Sequence, residues 1–474
     1  MSQPLRTEAL AAPPGPAAPA TPRPAATLAV TSAATAVALM AYTAPMITLG
    51  DTAASLHTSL SSQAWLLNGT PLGLAALLLV AGSLADDYGR RRAFLYGTLA
   101  LGVTTVLGAL APTTLLFTLA RVAQGAASAA IIAASLGLLV HAFPTPVGRI
   151  RATGVWGAFV SGGIALGPVV AGAVAGAVGW RWSYAVLGAA ALAVAALAPR
   201  ALTESRSPRA GRPDLPGALT LGLALVALLA ALTLGRDGWL RTPIGLLLLA
   251  AVLLLAAFGV LERRSAAPML DLSLLRRPLF LASTAGALFT GLSVIALFSY
   301  VPTLVQQTMG VSPMATAGLL VLWSGSSFLV ALQARRLAGR VPPRHQLAAG
   351  FVLHALAVAT MLGAIGSGHW QRLLPGLLLS GIGSGLLNAA LPLLAVESVP
   401  GGRAAMGSGA SNTARYIGSA AGVSLTIALA TSSGPSADAL ARGTNTALIV
   451  SGALALAAAA LLLTLRARVG PHHA

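Results

Sequence analysis

The stretch Gly82-Ser-Leu-Ala-Asp-Asp-Tyr-Gly-Arg-Arg-Arg92 joins two apolar blocks, 64–84 and 93–111. Its two acids and three arginines can pair with one another and with the ends of neighbouring helices. Gly82 and Gly89 permit a tight reversal and a close helix contact. The stretch therefore predicts a structured charged turn between two helices. The alternative is an ordinary basic loop of a membrane protein.

The composition indicates what surrounds this turn. The 474 residues are 56% hydrophobic and only 8% charged, and the mean hydropathy is +0.82. Soluble domains carry about 25% charged residues, because their surfaces face water. The apolar residues come in blocks of roughly 20, the length that crosses ~30 Å of hydrocarbon. The pattern predicts a polytopic α-helical membrane protein.

About fourteen such blocks follow one another along the chain. Their approximate limits are 28–50, 64–84, 93–111, 115–140, 152–178, 183–198, 215–235, 243–261, 279–303, 315–334, 347–365, 373–396, 405–431 and 444–465. We predict a disordered cytoplasmic tail (1–27), a six-helix bundle (28–199), a linker with an inserted helix pair (200–277), a second six-helix bundle (278–466) and a short tail (467–474).

Charge distribution predicts the orientation. All 29 basic residues are arginine, and the net charge is +18. With the N-terminus inside, roughly 22 arginines fall on the cytoplasmic side and about 5 outside, as the positive-inside rule requires. We therefore expect a multi-pass cell-membrane protein with both termini cytoplasmic, whose partner is membrane lipid and not nucleic acid. The absence of cysteine excludes disulfides and thiolate metal sites.

A second joint resembles the first. Residues 84–91 and 337–344 both begin Leu-Ala and end on arginine, and each lies between the second and third blocks of its six. Repeated halves with a central site between them are typical of transporters.

Several motifs resemble those of a known family. The charged turn resembles the loop motif of the major facilitator superfamily, Gly-x-Leu-Ala-Asp-basic-x-Gly-basic-basic, although Asp87 stands where a basic residue is usual. The resemblance implies two six-helix bundles and a gating loop made of Gly82, Asp86, Asp87, Gly89, Arg90 and Arg91.

Further motifs narrow the resemblance. Arg121-Val-Ala-Gln-Gly125 is similar to the family's Arg-x-x-x-Gly motif, and Gly163-Ile-Ala-Leu-Gly-Pro-Val-Val-Ala-Gly172 resembles the antiporter motif, with Ala171 replacing one glycine. Gly179-Trp-Arg-Trp-Ser-Tyr184 and Ser411-Asn-Thr-Ala-Arg-Tyr-Ile-Gly418 are similar to segments of the fourteen-helix drug:proton antiporter subgroup. The resemblance implies export of a small amphiphilic molecule in exchange for protons.

The antiporter-like segment also has a physical interpretation. Pro168 removes one backbone hydrogen bond and bends its helix. Gly163, Gly167 and Gly172 flatten one face, so that a partner helix can approach. The alternative is generic packing of small residues.

Two arginines, Arg121 and Arg415, lie inside apolar blocks, where each costs ~3 kcal/mol or more unless it faces water or a partner. We predict that both take part in transport, together with Gln124 of the same motif. The alternative is that Arg121 is held permanently by backbone carbonyls.

An expected acid is missing. The antiporter subgroup usually carries an aspartate in its first span, and Ala41 stands there. Asp51 and Glu397, both near the membrane interfaces, are the remaining candidates for the proton carrier.

Aromatic and amide residues inside the blocks predict a cavity for the solute. The candidates are Tyr42, Asn68, Trp156, Tyr300, Trp323, Asn388, Asn412 and Tyr416. We interpret His354 as a packing residue.

The function class follows from these observations. No catalytic triad, paired carboxylates, metal-ligand cluster or phosphate loop appears, so neither an enzyme nor a cofactor is predicted. The prediction is a secondary transporter, expected to be monomeric, that exports its solute by alternating access. The alternatives are an uptake or uncoupled transporter of the same fold and, from another class, a membrane-embedded enzyme.

Overall fold

The computed structural model describes residues 23–465, except residues 59, 207–213, 235–240, 266, 267, 269, 271, 334, 335, 337–339 and 435. Most of the predicted N-terminal tail, the whole tail 467–474 and the start of the second joint lie outside the described residues.

The described chain forms sixteen α-helices. They are α1 Pro24–Thr43, α2 Pro45–Ser55, α3 Leu60–Tyr88, α4 Arg90–Leu110, α5 Thr114–Ala142, α6 Pro146–Val178, α7 Trp180–Ala201, α8 Leu215–Leu234, α9 Thr242–Arg264, α10 Pro278–Phe289, α11 Ala296–Met309, α12 Pro313–Gln333, α13 Pro343–Met361, α14 Leu374–Glu397, α15 Ala404–Thr431 and α16 Ala437–Thr464. No described residue lies in a strand, so the all-helical prediction is confirmed.

The predicted count of fourteen spans is not confirmed. Twelve segments of the described chain are long and apolar enough to cross a membrane. The apolar run of α8, Pro216–Leu232, is shorter, and α15 is not among the twelve.

Two predicted spans are interrupted. The first is divided into α1 and α2 at Ala44, because Pro45 has no N–H to bond the Ala41 carbonyl four residues back. The ninth is divided into α10 and α11 by a π-helical turn, Thr290–Ile295. Such turns often lie at functional sites.

The helices pack as two groups. In the first, α3 lies on α5, α4 on α5 and α7, and α1 on α6. In the second, α14 lies on α12 and α13, α13 on α16, and α15 on α10 and the π-helical turn. The two groups meet where α3 contacts α15 and where α6 contacts α12 and α14. Helices α8 and α9 pack on each other, and α8 also contacts α3 and α15.

Small residues set the spacing between the two groups. A Cβ on Gly82 of α3 would collide with the Ala405 backbone of α15, and one on Gly409 of α15 would collide with the Leu78 backbone. The helix backbones therefore lie in direct contact, as small residues allow in membranes. Beyond Gly82, three segments meet: the α3–α4 turn, the segment after α7 and the α14–α15 loop. Arg90 bonds both Ser205 and Gly402 there. We term this end of the molecule the Arg-rich face.

Candidate functional site

A cavity of about 660 Å³, including the space open to solvent, lies between the two helix groups. The first group contributes side chains from α1, α2 and α6, and the second from the π-helical turn, α11, α12, α14 and α15. The lining residues are Tyr42, Thr43, Met46, Ser161, Ile164, Thr290, Val294, Ile295, Phe298, Ser299, Leu320, Trp323, Ser324, Ser327, Ser384, Asn388 and Arg415. Its largely apolar wall with a few polar groups suits a small organic molecule.

A polar cluster crosses this cavity from one group to the other. Arg415 Nη2 donates to Asn388 Oδ1 at 3.1 Å, and Asn388 Nδ2 donates to Ser161 Oγ at 2.9 Å. The hydroxyls of Ser161 and Ser327 are 2.8 Å apart. Because a guanidinium only donates, the Asn388 oxygen must face Arg415 and its amide nitrogen must face the serines. The cluster therefore joins α6 of the first group to α12, α14 and α15 of the second.

Two hydroxyls on the cavity wall have no partner in the described protein. Ser324 of α12 is 2% exposed and Ser384 of α14 is 5% exposed, and neither Oγ forms a hydrogen bond there. Ser380, Ser384 and Asn388 are spaced by four residues, so they share one face of α14. Buried hydroxyls are normally bonded, so Ser324 and Ser384 are available to a solute.

Trp323 belongs to a hydrogen-bonded chain behind the cavity wall. Its Nε1 donates to Ser380 Oγ at 3.2 Å, and His354 lies between Ser380 (Nδ1, 2.8 Å) and Ser451 (Nε2, 3.0 Å). Ser451 Oγ donates to the Ser293 carbonyl at 3.1 Å, inside the π-helical turn. Since the single Ser451 proton is used there, His354 Nε2 must donate to Ser451 and Nδ1 must accept from Ser380. The chain connects the cavity wall to the π-helical turn.

Arg121 is fully buried in α5 and binds the break in the first span. Its Nη1 donates to the Ala41 carbonyl at 2.6 Å and to Gln124 Oε1 at 2.8 Å, and its Nη2 donates to the Tyr42 carbonyl at 3.1 Å. Its guanidinium also lies 6.0 Å from the centre of the Tyr184 ring. The Ala41 carbonyl is the one that Pro45 leaves without a helical partner, so Arg121 replaces the missing N–H.

The antiporter-like segment of α6 packs against the same break. A Cβ on Gly163 would collide with the Ala36 backbone, and one on Gly167 with Thr43 and the Met40 backbone. Pro168 cannot bond the Ile164 carbonyl, and Thr43 Oγ1 lies 3.5 Å from that oxygen. Gly172 lies farther along, near Ile47 and Met314. The two sites at which a proline removes a helical hydrogen bond, Pro45 after α1 and Pro168 in α6, therefore lie close to contacting residues of the two helices.

Two residues of the predicted gating loop, Asp86 and Arg90, connect the two groups, and Asp86 is fully buried. We term their contacts the Asp86 latch. Arg90 Nε donates to Asp86 Oδ1 at 2.8 Å, and the Met406 N–H donates to Asp86 Oδ2 at 2.9 Å. Arg90 Nη2 reaches the Gly402 carbonyl at 2.6 Å. Met406 lies in the first turn of α15, where a carboxylate is stabilised by free N–H groups. Asp86 therefore caps a helix of the other group.

The unusual Asp87 has a partner of its own. Arg403 Nη1 donates to Asp87 Oδ1 at 2.8 Å, an ion pair that joins the second group to the first. Gly89 has φ 127°, which favours glycine, and a Cβ there would touch the Glu204 carboxylate. Glu204 accepts from the N–H groups of Arg91 and Arg92, so its bonds stay within the first group.

The remaining predicted residues lie in different places. Trp156 and Asn412 line a smaller neighbouring cavity of about 310 Å³, including the space open to solvent, and Trp156 Nε1 donates to Thr35 Oγ1 at 3.0 Å. Tyr416 packs edge-on against Tyr42. Asn68, Tyr300 and Tyr416 line neither of these two cavities. Asp51 and Glu397 are exposed, and they too are absent from the walls of both cavities.

Sequence reasoning missed several polar residues of the site and the latch. These are Ser161, Glu204, Ser205, Ser324, Ser327, Ser384, Gly402 and Arg403. The available signal was spacing, since serines at intervals of three or four residues inside apolar helices share one face.

Comparisons with known proteins identify the family of the chain. The family model described as Major Facilitator Superfamily matches residues 31–423. The chain is 33% identical over 432 residues to the puromycin resistance protein pur8 of Streptomyces alboniger, covering 88% of this chain and 85% of the relative. It is 32% identical over 379 residues to the multidrug resistance protein Stp of Mycobacterium tuberculosis, covering 79% and 70%.

Solved structures show the same fold. The human organic anion transporter MFSD10 (TETRAN) superposes with a TM-score of 0.65 at 15% identity, covering 93% of this chain and all of that one. The proton:xylose symporter XylE superposes with a TM-score of 0.65 at 12% identity, covering 92% and 94%. At these identities the similarity is one of fold.

Proposed function

Since this chain belongs to the Major Facilitator Superfamily, we propose that it exports a small amphiphilic or drug-like molecule by alternating access. Family and relatives make it a transporter and not an enzyme. The relatives named for puromycin and multidrug resistance support outward movement of an organic solute.

The observation that carries the proposal is the cavity between the helix groups. Both groups contribute to its wall, so a movement of one against the other changes its access. The Asp86 latch supports the same mechanism, because its contacts between the groups lie on the Arg-rich face, away from the cavity.

We further propose fourteen spans, cytoplasmic termini and a monomer. α15 has 28 residues, and its low hydropathy comes from polar residues, of which Ser408, Arg415 and Ser424 form hydrogen bonds to other helices. α8 has 20 residues, about 30 Å at 1.5 Å per residue. The arginine distribution supports placing the Arg-rich face in the cytoplasm.

Exchange with protons is the coupling that the antiporter resemblance implies, with Asp51 or Glu397 as carrier. A second candidate is uncoupled export. It is favoured by the contacts at Ala41, where backbone carbonyls take the place of an aspartate beside Arg121, and by the exposure of both acids outside the cavities. If Asp51→Asn and Glu397→Gln leave efflux and its pH dependence unchanged, uncoupled export is preferred.

Efflux from a drug-sensitive bacterial host tests the export function. We expect cells that express the protein to accumulate at least one member of a panel of antibiotics and dyes several-fold less than empty-vector cells. Ser384→Trp, which fills the cavity, should remove this difference. Leu356→Trp, on an exposed position of α13, is the matched control and should keep it. Equal accumulation with and without the protein for every compound would contradict export.

A further inference from the structure

We propose that Arg415 makes the central cavity selective for solutes that carry a negative charge, an inference that rests on the export function proposed above. Arg415 is the one charged side chain among the residues that line the cavity, and no aspartate or glutamate of the described chain is among them. A solute in this cavity therefore meets a positive charge.

The charge of Arg415 is not neutralised by the protein. Within the described ranges no carboxylate forms an ion pair with it, and its hydrogen bond to a side chain is the one to the neutral Asn388. An arginine at membrane depth is normally paired or faces a water-filled cavity. The remaining guanidinium donors are thus free to bind a carboxylate, sulfonate or phenolate, for which a planar guanidinium is well shaped.

The neighbouring groups fit an anion as well. Ser324 and Ser384 line the same cavity with hydroxyls that no described residue bonds. A hydroxyl can donate to an acceptor-only group such as a carboxylate. A lipophilic cation would instead lie near an uncompensated guanidinium, without an acid on the cavity wall to offset the repulsion.

Arg121 does not share this role. It lies outside the cavity wall, and both of its terminal nitrogens are bonded to carbonyls of the first span. Selectivity for charge should therefore depend on Arg415 and not on Arg121.

An anionic solute also changes the energetics of export. The cytoplasm is electrically negative, so the membrane potential drives an anion outward without any proton exchange. Each turnover moves one negative charge out, and no chemical bond changes. Export of this kind needs no proton carrier, which agrees with a cavity wall on which no acid of the described chain lies.

Three matched probes of one size test the proposal. They are naphthalene-2-sulfonate, a permanent anion; naphthalene-2-sulfonamide, its neutral analogue; and N,N,N-trimethylnaphthalen-2-aminium, a permanent cation. Binding to the full chain in nanodiscs is measured by quenching of tryptophan fluorescence, since Trp323 lines the cavity. Flux is measured separately in proteoliposomes under potassium diffusion potentials of either sign.

We expect the sulfonate to bind at least tenfold more tightly than the cation. Arg415→Gln should remove that preference by weakening sulfonate binding much more than sulfonamide binding, and Arg415→Lys should restore part of it. Ser384→Asp, which adds an acid to the wall, should shift the preference toward the cation and guards against a fold defect in the arginine variants. Sulfonate flux should rise when the potential pulls anions and should not respond to a pH gradient.

Equal or tighter binding of the cation by the wild-type protein would overturn the proposal, as would unchanged sulfonate binding in Arg415→Gln or no sulfonate binding at all. Sulfonate binding that depends on Arg415 but is accompanied by no flux of any probe would contradict the export function and leave the selectivity standing.

Discussion

At the scale of single residues, Asp86 is the group on which the latch depends. Asp86→Asn removes the charge that both Arg90 and the first turn of α15 require, and it leaves a buried guanidinium uncompensated. Breaking one partner of a buried pair typically costs about 3–5 kcal/mol. We expect at least a tenfold loss of efflux at an unchanged amount of protein in the membrane.

Glu204→Gln is the matched control for that variant. It neutralises a carboxylate on the same face, but Glu204 bonds only within the first group and its ion pair to Arg92, 3.9 Å long, is largely exposed. Exposed pairs contribute about 0–1 kcal/mol, so efflux should fall less than twofold. Similar losses in both variants would show that charge on this face, and not the contact between the groups, matters.

Some residues of the site can be recognised from the sequence, and others cannot. Arg121, Arg415 and Asp86 are conspicuous because charge inside or beside an apolar helix is costly. Ser324 and Ser384 are not, because hydroxyls occur throughout these alanine- and glycine-rich helices and only packing decides which of them face the cavity. Likewise, the pairing of Asp87 with Arg403 spans 316 positions and follows from the tertiary fold.

At the scale of elements, the break between α1 and α2 explains why Arg121 is buried. Arg121→Ala should abolish transport and should lower stability by about 1–3 kcal/mol, the cost of a buried polar group without a partner. Adding Pro45→Ala supplies an N–H for the Ala41 carbonyl, so the double variant should regain part of the lost Tm without regaining transport. Thermal unfolding in detergent and dye efflux measure the two effects.

The comparison of the double variant with Arg121→Ala tests the role of the Ala41 carbonyl. If the double variant is no more stable than Arg121→Ala, the orphaned carbonyl is not what Arg121 stabilises, and the contacts with Gln124 and Tyr184 carry its role instead.

The helices could be predicted from the length and hydropathy of the apolar blocks. The breaks within the helices could not, because they depend on packing. Pro45 is visible in the sequence, yet a proline in a membrane span need not interrupt it. The π-helical turn has no such marker. There, a Cβ on Gly291 would collide with the Arg415 backbone, so the turn lies in close contact with α15.

At the scale of the whole molecule, orientation is the feature to be tested. Single cysteines serve well, because the native chain has none. Ser433→Cys, on an exposed turn between α15 and α16, should react with an impermeant maleimide added to intact cells. Arg206→Cys, exposed beside the latch, should react only after the membrane is permeabilised. The reverse labelling pattern would place the Arg-rich face outside.

The two-group architecture was predictable because a repeated joint, two sets of apolar blocks and the arginine distribution all agreed. The contacts between the groups were not, since they depend on which helix faces meet. Small residues such as Gly82 and Gly409 allow this meeting, but a sequence rich in glycine offers many equivalent choices.

The burial of Asp86 and Arg90 makes water a participant in the transport cycle. When the two groups separate on the Arg-rich face, both side chains must become hydrated, because their present partners, the α15 N-terminus and the Gly402 carbonyl, belong to the other group. Opening therefore takes up solvent and closing expels it. We therefore expect a high osmotic pressure on the Arg-rich side to disfavour the opening of this face.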